Sequence, residues 1–115
     1  MKKLLGSIAL GVFLISPIVA LATTIDQILA TPNAYDGQHV DVRGKVADLR
    51  AKVSHKGNAY VTFSLCSDRC IHVFAFGAPS IKDGQTITVR GTFAAVKQTG
   101  GYTFRNEIDA DDGSL

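Results

Sequence analysis

Apolar and polar residues alternate in five separate stretches of the chain, a period of two that marks half-buried β-strands. The first, His39 to Val46, places Val40, Val42 and Val46 on one face. Tyr60 to Cys66 and Cys70 to Gly77 are the second and third. In the fourth, Gln85 to Ala94, the shared face carries Ile87, Val89 and Phe93. In the fifth, Tyr102 to Ile108, it carries Tyr102, Phe104 and Ile108. One segment has a different rhythm. Thr23 to Ala34 spaces Ile25, Ile28 and Leu29 as one helical face, with Thr23 or Thr24 as cap and Thr31-Pro32-Asn33 as stop. The pattern predicts an all-β domain led by a short helix.

The connections sharpen this. Asp48 to Asn58 reads as a long polar loop, Ser67-Asp68-Arg69 as a tight hairpin, Pro79 to Gly84 as a short link and Lys97 to Gly101 as a flexible glycine loop. The first and fourth strands repeat one pattern, D-G-Q-x-h-x-V-R-G, over Asp36–Gly44 and Asp83–Gly91. An Asp-Gly turn starts each copy. A glycine inside a strand costs stability and marks a bend or a close approach. Gly44 and Gly91 therefore predict two strands that curve around a small barrel.

The N-terminus has its own logic. Lys2 and Lys3 precede an uncharged run from Leu4 to Val19, and Ala20-Leu21-Ala22 is an A-x-A cleavage pattern. This predicts a secretory signal over residues 1–22 and a periplasmic or secreted domain over 23–115, with no membrane span after cleavage. No Cys stands near the cleavage site, which argues against lipidation. Removing the leader changes the charge: the full chain is +2, but two of its 12 basic residues are Lys2 and Lys3, so the mature chain is formally neutral. A strongly basic nucleic-acid protein is excluded on net charge. The charge is unevenly placed, since residues 38–105 hold every mature Lys and Arg but only four acids, and Asp109, Asp111 and Asp112 form an acidic, solvated tail. Either the surface is simply well solvated, or a basic groove sits on a neutral protein.

Cys66 and Cys70 are the only cysteines, and in an exported chain they predict a disulfide across the hairpin. His72 shares their face, but oxidation removes the thiolates a metal site would need, so no metal is expected. Setting Cys66 against Cys70 fixes the register: Ser64 faces His72, Thr62 faces Phe74 and Tyr60 faces Phe76. The opposite face pairs Leu65 with Ile71, Phe63 with Val73 and Val61 with Ala75; being wholly apolar, it must line the interior. Tyr60, Thr62, His72, Phe74 and Phe76 are then an outward platform, which either stacks a ligand or is covered by the leading helix or a partner. Arg50, Lys52 and Lys56 from the first loop, Lys97 from the last, and Arg43 and Lys45 from the first strand are candidates to meet phosphates. His39, His55 and His72 have no metal-ligand spacing, and no recognised nucleophile, P-loop or paired-carboxylate motif is present, so neither catalysis nor a cofactor is expected.

The "GQHVDVRGKV" and "GQTITVRGTF" strands give the stretch from Gly37 to Ile108 a resemblance to the nucleic-acid-binding, anticodon-binding type of OB-fold. The chain is also similar to small periplasmic bacterial OB-fold proteins associated with envelope stress. The resemblance implies a five-stranded Greek-key barrel over residues 37–109, in which the face of the second and third strands binds oligonucleotides or oligosaccharides. The family's helix between the third and fourth strands is reduced here to Pro79–Gly84, so the leading helix is expected to plug the barrel end. The expected function is non-enzymatic binding of single-stranded nucleic acid or a nucleotide-like ligand. The alternatives are a small envelope ligand, a glycan or a cation, or a protein partner docked on the same aromatic face.

Overall fold

Strands dominate the computed structural model, which describes residues 21–115. The signal peptide expected over residues 1–22 lies outside the described residues apart from its last two. These form β1 (Leu21–Ala22), which pairs in parallel with Val40 and Asp41. Two short helices follow, α1 (Ile25–Ala30) and α2 (Pro32–Tyr35), then β2 (His39–Val53), β3 (Ala59–Cys66), β4 (Cys70–Phe76), β5 (Thr86–Thr99) and β6 (Tyr102–Ala110). The sheet order is β1-β2-β3-β4-β6-β5, and β2 also pairs with β5, so five strands close a ring. All pairings within the ring are antiparallel except β4–β6.

The single helix expected over Thr23–Ala34 is two. Thr24 caps α1 through a reciprocal capping box with Gln27. Pro32, expected only as a stop, opens α2 at its first turn, where a missing N–H costs nothing. Ile25 and Ile28 are buried in the main core cluster, so the leading helix packs its apolar face onto the core of the ring.

β2 is longer than expected. The bulk of the predicted Asp48–Asn58 loop is strand, because one extra residue between Ala47 and Arg50 is absorbed as a bulge and pairing with β3 resumes to Val53. Asp48 takes the positive φ (54°) at this point. β5 likewise runs past Ala94 to Thr99, leaving Gly100-Gly101 as the turn. The hairpins β2–β3 and β5–β6 thus rise past the closed ring as two arms.

The repeated sequence is a repeated contact. Gly37 N–H donates to Phe93 O (2.8 Å), and Phe93 N–H donates back to Gln38 O (2.9 Å). Gly84 N–H donates to Val46 O (2.7 Å), and Val46 N–H donates back to Gln85 O (2.9 Å). Beyond these, Asp36 Oδ1 accepts from Ala95 N–H (2.8 Å) and Asp83 Oδ1 from Leu49 N–H (2.9 Å). Each Asp-Gly turn grips the strand begun by the other, about a local pseudo-twofold through the Val42↔Val89 pair.

Both interior glycines are close approaches. A Cβ on Gly44 would meet Leu65 Cγ at 2.9 Å and Cys66 O at 3.1 Å. A Cβ on Gly91 would strike the Asp109 carbonyl oxygen, with Ala110 Cα at 2.8 Å. Backbone cannot yield as a side-chain tip can. Gly91→Ala is therefore expected to cost about 3 kcal/mol or more in urea unfolding. The surface turn variant Gly84→Ala, strained by its positive φ alone, is expected to cost about 1 kcal/mol. A Gly91→Ala protein as stable as wild type would rule out the close approach.

Candidate functional site

The Cys66–Cys70 disulfide forms as the spacing predicts. With it comes the expected register: Tyr60↔Phe76, Thr62↔Phe74 and Ser64↔His72 on one face, Val61↔Ala75, Phe63↔Val73 and Leu65↔Ile71 on the other. The second set is buried throughout. All of the first set but Ser64 line a groove of about 660 Å³ between the two hairpin arms.

The opposite wall departs from the sequence pattern, which puts Tyr102 and Phe104 on the same face as Ile108. Strict alternation fails because Asn106 has φ 54°, a left-handed conformation that Asn tolerates better than most residues. Across the ladder from it, Ala95 gives its N–H to Asp36 instead of to β6. The kink leaves Glu107 and Ile108 buried in succession and turns Tyr102 and Phe104 into the groove.

The rings interlock. Phe74 packs face to face with Tyr60 (5.2 Å between centroids), meets Phe76 edge-on (4.9 Å) and has the Lys97 ammonium over it at 4.9 Å. Phe104 lies parallel to His72, 6.1 Å away, and tilts against Tyr102. Phe74 is thus a keystone holding other groups, while Phe76 (56% exposed) and Tyr102 (70%) offer the most open aromatic surface.

The groove floor holds charge. Lys97 Nζ donates to Glu107 Oε2 (2.8 Å) and to Asp109 Oδ1 (2.9 Å), and His72 Nε2 stands 3.4 Å from Glu107 Oε1. Glu107 is only 2% exposed. Burial disfavours its charge, and a hydrogen bond to the Asp109 carboxyl stabilises its protonated form; together these outweigh the Lys97 attraction and push its pKa up to about 7. Burial, followed by the Lys97 charge, pushes His72 down. Burial alone would lower Lys97, but its hydrogen bonds to Glu107 and Asp109 overcome this and raise it.

Several expected site residues meet here: Tyr60, Thr62, His72, Phe74, Phe76, Lys52 and Lys97 all line the groove. Arg43, Lys45, Arg50 and Lys56 do not. Arg43 borders a separate depression beside Thr24 and Gln27, and Arg50 turns to Asp48 (3.1 Å). Lys97, expected to meet phosphate, already serves two carboxyl groups. The tail expected to be solvated is partly built in, with Asp109 on β6 and Asp111 bonded to His39 (2.6 Å). Among the described residues no group of three or more His, Cys, Asp or Glu is placed to hold a metal ion, and no helix is long and apolar enough to cross a membrane. Comparison of the chain with protein-family models, with curated proteins and with solved structures found no match in any of the three.

A carboxyl whose folded pKa lies above its ordinary 4.5 favours folding while protonated. That contribution is complete below about 4.5 and is lost as pH rises through about 7. Glu107→Gln, which keeps an acceptor for Lys97, should flatten the fall of unfolding free energy between these pH values by up to about 3 kcal/mol. A carbon-detected NMR titration should place the Glu107 carboxyl midpoint near 7. A midpoint at or below the ordinary carboxylate value would refute the burial account.

Proposed function

We propose that the chain is a non-enzymatic binding module of the bacterial cell envelope. Its barrel is read as an OB-fold Greek key that holds single-stranded nucleic acid or a nucleotide-like ligand in the groove on the β3–β4 face. The observation that carries this reading is the groove itself: open rings on both walls, Tyr60 and Phe76 opposite Tyr102 and Phe104, with Lys52 also in the lining. Every base has a face that can stack on such rings. The strand order, with β4 parallel to β6 and β2 closing on β5, supports the OB-fold assignment. The cleavable leader pattern and the Cys66–Cys70 disulfide support export.

The charge of the groove limits the ligand. Lys52 and Lys97 are balanced by Asp109 and Asp112, so a long polyanion finds no basic track. A short segment or a single nucleotide fits better. One second reading has its own support: carboxylates such as Asp109 beside aromatic rings also suit sugar hydroxyls, and a glycan would bind the same walls.

Amide NMR titration with a short mixed-sequence single-stranded oligonucleotide tests the proposal. Saturable shifts are expected at Tyr60, His72, Tyr102 and Phe104. Tyr102→Ala should weaken binding about tenfold, since stacking contributes about 1–3 kcal/mol per base. The dependence of log K on log salt should be shallow, with a slope no steeper than about −1.5, as for about two phosphate contacts. Saturable binding of a sugar chain with none of the oligonucleotide would transfer the groove to the glycan reading.

A further inference from the structure

The groove floor can be counted donor by donor. Lys97 carries three N–H donors. Glu107 Oε2 and Asp109 Oδ1 take two of them, and the ammonium stands beside the Phe74 ring within the groove. One donor is left for a ligand. The two carboxyl groups differ in access, since the Glu107 side chain is 3% exposed and the Asp109 side chain 41%. A carboxylate has about four lone-pair positions. Lys97 takes one on Asp109, so about three acceptor positions remain open on that carboxylate.

We propose that this floor reads the edge of the stacked ring and selects a guanine-type edge, in which two adjacent N–H groups lie beside a carbonyl oxygen. The two N–H groups meet the Asp109 carboxylate side by side, and the carbonyl accepts the remaining Lys97 proton. This rests on the ligand-binding function proposed above and adds the choice of base. Paired bonds to one ionised group are stronger and more directional than a single neutral bond. Adenine and cytosine offer one amino group beside a ring acceptor, which satisfies Asp109 less fully. Uracil offers one N–H between two carbonyls, and these turn negative dipoles towards Asp109 and Glu107. A phosphate turned inward would meet the carboxylates of Asp109 and Asp112. The ring edge therefore points to the floor and the phosphate to solvent.

Titration calorimetry with GMP, AMP, CMP, UMP and IMP at one salt concentration isolates the base, because the sugar and phosphate are shared. GMP is expected to bind at least about fivefold tighter than AMP, CMP or UMP, in keeping with base discrimination by paired contacts. IMP lacks only the second N–H donor group and should lose most of that advantage. Asp109→Asn, which replaces one acceptor oxygen with a donor, should level the series. If that variant does not fold, the GMP–IMP comparison on the unaltered protein decides alone. Equal affinities across the five nucleotides overturn the base selection and leave the stacking function standing. Absence of binding by every nucleotide and by the oligonucleotide overturns both.

Discussion

The ladder between β2 and β5 is the constraint on which the rest depends. Seven residue pairs, from His39↔Thr92 to Lys45↔Thr86, turn an open sheet into a ring. The closure needs both strands to leave the ladder and join other partners, β3 on one side and β6 on the other. Gly44 and Gly91 sit where they do so, each with a neighbouring strand too close for a side chain. The Asp-Gly turns then fasten each strand's start to the other's far half. A sequence repeat has become a reciprocal clasp, and the long arms beyond it are free to serve as walls.

Curving the strands creates the site. The bulge at Asp48 brings Arg50 and Lys52 opposite Thr62 and Tyr60, and the kink at Asn106 brings Tyr102 and Phe104 round to face them. Between the arms lies Glu107, a carboxyl that an apolar core would not retain. Its burial is offset by the Lys97 ammonium, and the charge that burial disfavours is relieved by a pKa pushed up to about 7. The aromatic wall is tied to this cluster because Lys97 also sits over Phe74. Stacking surface and charged floor are one packed unit.

The β3–β4 hairpin was legible from the sequence because two cysteines fix a register, and a register fixes every side chain's face. The core valines were legible for the same reason: alternation holds wherever pairing is regular. The other half of the groove was hidden because both irregular residues, Asp48 and Asn106, carry non-glycine side chains at positive φ. In β6 the one available signal is Asn106 itself, a polar residue that interrupts the apolar face of Tyr102, Phe104 and Ile108. β2 and β5 run further than the pattern suggests because polar residues such as Arg50, Lys52, Lys97 and Gln98 look like loop. In an arm that projects beyond the core, strands have no buried face to reveal them. Arg43 and Lys45 alternate away from the core valines as the pattern implies, but that side of β2 does not border the groove.

The disulfide has a mechanical side. It joins Cys66 and Cys70 at the turn of the β3–β4 hairpin, the end remote from the Tyr60↔Phe76 pair. Pairing runs unbroken from there to the cross-link, so the bond works as a ratchet stop rather than as a source of cohesion. A slip by one residue would swap the aromatic face for the apolar one, and the covalent link forbids that exchange however the ladder fluctuates.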